Sequence, residues 1–139
     1  MKAMIFAAGL GTRLKPLTDN MPKALVPILG KPLLEHVIDD LKDAGFNEII
    51  INIHHFGEQI IEFVESKNNF YIRIEFSDEC KKLLDTGGAI KKAQWFFSNN
   101  EPILIHNADI LSNIDLSDVY HCHIKNNALA TLVVSNRDT

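Results

Sequence analysis

At 139 residues, the chain suits one domain or part of a larger one, and is too short for two. Its 46% apolar and 23% charged residues exclude wholesale disorder, and no apolar run reaches the ~18 residues of a membrane span. Lys plus Arg number 14 against 18 Asp plus Glu, so a net charge of −4 gives no electrostatic footprint for nucleic acid or an anionic membrane. The opening MKAMIFAAGLGTRL runs straight into a glycine loop and an arginine, unlike a secretory signal. Cys80 and Cys122 lie far apart with no CxxC, which points to a reducing, cytoplasmic compartment.

Residues 2–8, KAMIFAA, form a short apolar run that predicts a buried strand. A loop rich in Gly, Pro and Thr follows from Gly9 to Lys31. Leu34, Val37, Ile38, Leu41 and Ala44 then recur at helical spacing, with Pro32 suited to the first turn and Gly45 to the stop. EIIINIH, 48–54, predicts a second buried strand, and Ile60, Ile61 and Val64 a short helix. Phe70, Ile72, Ile74 and Phe76 alternate with Tyr71, Arg73 and Glu75, the period of a half-buried strand. Ala89, Ile90, Ala93 and Phe97 mark a helix opened by Thr86-Gly87-Gly88. Residues 102–106 predict a buried strand, 115–125 a helix, and 128–135, ALATLVVS, a final strand.

This alternation of strands and helices predicts an α/β fold: a Rossmann-like, mainly parallel sheet with helices on both faces. Ligands of such sheets bind beyond the C-terminal strand ends. Three polar clusters fall there: Gly9–Arg13, Asp85–Gly88 and Asn107–Asp109. One shared site is therefore expected. After ALATLVVS the chain stops at Asn136-Arg137-Asp138-Thr139 with nothing to cover the last strand. Residues 1–139 thus read as one domain that is C-terminally truncated, whose open apolar face implies a homodimer or further residues.

In Ala7-Ala8-Gly9-Leu10-Gly11-Thr12-Arg13-Leu14, a strand feeds a glycine turn that lets backbone N–H groups approach an anion. Arg13 adds a planar, permanently charged fork suited to phosphate oxygens. A dinucleotide fingerprint, GxGxxG, is weakened because Leu14 replaces the third glycine, and no GxxxxGK[ST] loop exists. In the proline-stiffened run PKALVPILGKP, Lys23 follows Pro22 and precedes apolar residues, which predicts a packed stem and an aimed amine.

GLGTRLKPLT followed by MPKALVPILGKPLLEHVI resembles the signature of the sugar-1-phosphate nucleotidyltransferases, and the likeness continues through DTGGAIKKA and NADIL. The resemblance covers the whole chain but only the N-terminal part of the family's catalytic domain. It implies a nucleotide-diphospho-sugar transferase fold and transfer of a nucleoside monophosphate to a sugar 1-phosphate, releasing pyrophosphate. Ala8, Gly9, Gly11, Thr12 and Arg13 would form the element that wraps the nucleotide, with Arg13 on the β- and γ-phosphates. Lys23 would contact the α-phosphate or the sugar phosphate, Gly88 the base and ribose, and Asp109 a Mg²⁺ ion. Ala108 stands where the family has glycine, a departure of one methyl group. LLDTGGAIKKA resembles both N-acetylmuramate-1-phosphate uridylyltransferases and mannose-1-phosphate guanylyltransferase-like proteins, with UTP favoured over GTP. The family's second metal carboxylate and much of its sugar pocket have no counterpart in this sequence. A short non-catalytic nucleotide binder with a regulatory role is the alternative.

In-line attack by an already ionised phosphate oxygen requires positioning and charge neutralisation, not a nucleophilic side chain. A hard cation, Arg and Lys suffice. His121-Cys122-His123 is discounted as a metal site, because adjacent helical residues diverge and no partner pair exists. His54-His55, Trp95-Phe96-Phe97 and Asp39-Asp40 read as strand-end, packing and solvated residues respectively.

Overall fold

The computed structural model describes residues 1–97 and 100–135. In chain order its elements are β1 (Lys2–Phe6), the hairpin β2 (Pro27–Ile28) and β3 (Lys31–Pro32), α1 (Leu33–Asp43), β4 (Glu48–Ile53), α2 (Gly57–Ser66), β5 (Arg73–Asp78), α3 (Asp85–Lys92), β6 (Ile103–Asn107) and α4 (Leu116–Asn126). The main sheet runs β5-β4-β1-β6, and every neighbouring pair is parallel. Parallel pairing puts all four C-terminal ends on one edge: Phe6 lies opposite both Asn52 and Asn107, and Ile53 opposite Asp78.

Side chains alternate across a strand, and both faces of this sheet are covered. Ala3, Ile5, Ile49, Ile51 and Leu104 pack with Leu34, Val37, Ile38 and Leu41 of α1, Ile60 and Val64 of α2, and Leu116 of α4. Met4 and Ile50 point the other way, onto Ala89, Ala93 and Phe96. Gly45 ends α1 at φ 90°, with its N–H on Lys42 O (2.8 Å) and Phe46 N–H on Leu41 O (2.9 Å). A left-handed C′ residue closing such a pair of bonds favours glycine.

Three local expectations change. Residues 128–135 form no strand, and Leu129, Leu132 and Val134 lie exposed. A β-branched, apolar run supplies propensity, but a strand exists only against a hydrogen-bonding neighbour. β5 begins at Arg73 rather than Phe70, because Asn68–Tyr71 turns with positive φ throughout. Phe70 still enters the core from that turn, so its burial is unchanged. Thr86-Gly87-Gly88 sits within the first turn of α3, which starts at Asp85, rather than ahead of it.

Candidate functional site

The loop after β1 is held by its own polar groups. Ala7 and Ala8 are buried, whereas Gly9, Leu10, Thr12 and Arg13 are exposed. Gly11 adopts φ 66° before the single 3₁₀ turn Thr12–Leu14. Its carbonyl accepts from Leu14 N–H (2.9 Å) and from the Thr18 hydroxyl (2.7 Å), and Thr18 is itself buried. A β-carbon at Gly11 would lie 2.9 Å from Thr18 Cγ2 and 3.2 Å from Lys23 Cβ. The left-handed backbone and the tight packing both require glycine there.

Lys23 opens a second 3₁₀ turn, Lys23–Leu25, between buried Pro22 and buried Ala24. Those neighbours seat the main chain, and the Lys23 side chain itself is partly exposed. Its amine donates to the Asp109 carboxylate, 86 residues away in sequence. Asp109 lies two residues beyond β6, and the intervening Ala108 is buried with its N–H on Phe6 O at 3.0 Å. The alanine methyl lies in the main core cluster, so that departure from glycine is accommodated.

The structure therefore brings Lys23, Asp109 and the Gly9–Arg13 loop to one sheet edge. Gly88, half-buried in the first turn of α3, lies at the same edge beyond β5. An open concavity of about 470 Å³ lined by Gly87, Ile90, Lys91, Gln94, Phe97 and Ile103 contains none of Arg13, Lys23 or Asp109.

Sequence reasoning missed the buried polar residues beneath this edge. Asn52 Oδ1 accepts from Ala7 N–H (2.7 Å), Asn52 Nδ2 donates to Glu79 Oε1 (2.9 Å), and Glu79 Oε2 accepts from Leu84 N–H (3.0 Å). The available signal was an asparagine inside the isoleucine-rich run of β4. Nearby, Cys80 N–H bonds Asp78 Oδ1 at 2.7 Å, and this bond holds the Asp78 carboxyl below its ordinary range.

Asp109 offers a hard oxygen donor, but the described residues contain no group of three or more His, Cys, Asp or Glu able to hold a metal. That single carboxylate would fit a cation that takes the rest of its shell from phosphate oxygens and water, as Mg²⁺ commonly does. No helix of the described residues is long and apolar enough to cross a membrane.

The fold is of the nucleotide-diphospho-sugar transferase type. The solved HddC from Yersinia pseudotuberculosis, complexed with GMP-PN, superposes with a TM-score of 0.78 at 32% identity, over 88% of this chain and 54% of that one. The family described as "Nucleotidyl transferase" matches residues 2–139, and the chain belongs to it. The UTP–glucose-1-phosphate uridylyltransferase of Synechocystis sp. is 35% identical over 144 residues, 96% of this chain and 37% of that protein. The N-acetylmuramate alpha-1-phosphate uridylyltransferase of Neisseria meningitidis serogroup B is 40% identical over 120 residues, 86% of this chain and 52% of that protein. The chain thus spans between 37% and 54% of the length of these relatives.

Proposed function

We propose that residues 1–139 form the nucleotide-binding portion of a sugar-1-phosphate nucleotidyltransferase. The observation that carries this reading is the Lys23–Asp109 contact beside the Gly9–Arg13 loop, at the C-terminal edge of a parallel sheet. That edge offers backbone N–H groups, two cations and one hard oxygen donor, the set a bound triphosphate requires.

In this reading Ala8, Gly9, Gly11 and Thr12 wrap the nucleotide, Arg13 faces the β- and γ-phosphates, and Gly88 faces the base and ribose. An oxygen of the sugar phosphate attacks the α-phosphorus, the bond from that phosphorus to the bridging oxygen breaks, and pyrophosphate leaves with the bonding pair. Lys23 neutralises the α-phosphate or the incoming sugar phosphate, so two anions approach without full mutual repulsion. Asp109 would hold Mg²⁺, which would supply Lewis-acid charge neutralisation when bound. UTP is favoured over GTP in this reading: two relatives are named uridylyltransferases, whereas HddC was solved with GMP-PN, so both nucleotides are tested. Cys80 and Cys122, free and exposed, fit a reducing, cytoplasmic setting.

Thermal shift with UTP, GTP, ATP and CTP, each with and without Mg²⁺, tests binding. Pyrophosphate release with candidate sugar 1-phosphates then tests turnover. A Mg²⁺-dependent stabilisation by UTP is expected. No response to any of the four triphosphates would reject the reading, and binding without pyrophosphate release by both this chain and a C-terminally extended one would favour a non-catalytic nucleotide binder.

A further inference from the structure

Asn52 and Glu79 are only 4% and 1% exposed, yet both are polar and neither belongs to the cleft surface. Buried polar groups are costly unless fully bonded, and these two can be satisfied in one arrangement only, with donors converging on Glu79 from both ends. The chain starts at Ala7 N–H and ends at Leu84 N–H, and main-chain N–H groups can only donate. Asn52 must therefore turn its oxygen to Ala7 and its amide nitrogen to Glu79. Glu79 must accept at both carboxyl oxygens. The Glu79 main chain is fixed as well: its N–H bonds Ile53 O (2.8 Å), and its carbonyl accepts from His54 Nδ1 (2.8 Å) and Lys82 N–H (3.0 Å).

The two ends of this relay matter. Ala7 immediately follows β1 and leads into Ala8-Gly9, the start of the phosphate loop. Leu84 immediately precedes α3, whose first turn carries Gly88. We infer that Asn52 and Glu79 are a positioning pair that fixes the phosphate loop relative to the turn facing base and ribose, so that both halves of one nucleotide meet preorganised partners. The inference rests on the nucleotide-binding reading above, but its geometric core can be tested without ligand.

The test uses Glu79→Gln, Asn52→Asp and the double variant. In Glu79→Gln an amide NH₂ faces a donor at one end of the relay. In Asn52→Asp two carboxyl groups face each other. In Asn52→Asp/Glu79→Gln the middle bond reverses: the amide introduced at position 79 donates to the carboxylate introduced at position 52. That carboxylate still accepts from Ala7 N–H, and the amide oxygen at position 79 accepts from Leu84 N–H. Every group is again satisfied.

Amide hydrogen exchange and the dissociation constants of UTP and GTP with Mg²⁺ are measured for all four proteins. Each single variant should lose about tenfold in affinity and exchange about tenfold faster at one or both of Ala7 and Leu84. The double variant should recover both properties. Recovery distinguishes pairing from a generic loss of stability. A double variant no better than the singles would overturn the inference. So would single variants that leave both Ala7 and Leu84 as protected as in the unmodified chain. If the unmodified chain binds neither nucleotide, the functional reading fails, and exchange at Ala7 and Leu84 still decides the relay.

Discussion

Gly11→Ala probes the loop most directly. Gly11 holds φ 66°, and a side chain in that left-handed region costs about 1–2 kcal/mol. The added methyl would sit 2.9 Å from Thr18 Cγ2 and 3.2 Å from Lys23 Cβ. Thr18 is buried and tied by its hydroxyl to the Gly11 carbonyl at 2.7 Å, so it cannot swing away without breaking that bond. Forcing extra volume into a packed site costs about 1–3 kcal/mol more. The sum, about 2–5 kcal/mol, is a large part of the roughly 5–15 kcal/mol that holds an ordinary domain together. Gly9→Ala is the internal control, since a β-carbon there meets nothing within 4 Å and its φ is not positive. Urea denaturation of the two variants is the assay. A lowered midpoint for Gly11→Ala and a shift within about 0.5 kcal/mol for Gly9→Ala are expected. Equal midpoints would show that the loop relaxes freely and that Gly11 is not a conformational requirement.

Arg13→Ala and Lys23→Ala should each weaken triphosphate binding about ten- to a hundredfold while sparing the nucleoside, because each removes a charged hydrogen bond to phosphate; calorimetry with UTP and uridine separates the two. Asp109→Asn should change thermal stability by no more than about 1 kcal/mol, since the ion pair it breaks is partly solvated, with side-chain exposures of 26% and 37%. The same variant should lose the Mg²⁺-dependent part of nucleotide binding, read by titrating UTP with and without Mg²⁺. Asp78 titrates below its ordinary value because the Cys80 N–H bonds its carboxylate. Its contribution to stability is therefore full above the unfolded carboxylate pKa and is lost as pH falls through the lowered folded value. Asp78→Asn should flatten the acid limb of a stability-versus-pH curve, measured by denaturant midpoints, while keeping the acceptor for Cys80.

The local sequence determined the secondary elements and where polar groups would gather. Apolar runs and helical spacing are set by burial of one face or both, so β1, β4, β6, α1 and α4 were legible with shifts of a residue or two at their ends. Glycine and proline placement marked the loop after β1, and the TGG turn marked the start of α3. Tertiary structure decided what those elements could not state alone. Lys23 and Asp109 meet only because parallel pairing of β1 with β6 brings both loops to one edge. Asn52 and Glu79 were not singled out by the sequence; their roles arise because pairing of β4 with both β1 and β5 puts main-chain donors on either side of them. The need for glycine at position 11 came from Thr18, whose side chain folds back beneath the loop. Residues 128–135 show the converse limit. Their composition favours a strand, but a strand is a relation between segments, and its hydrogen-bonding partner is fixed by the fold rather than by propensity.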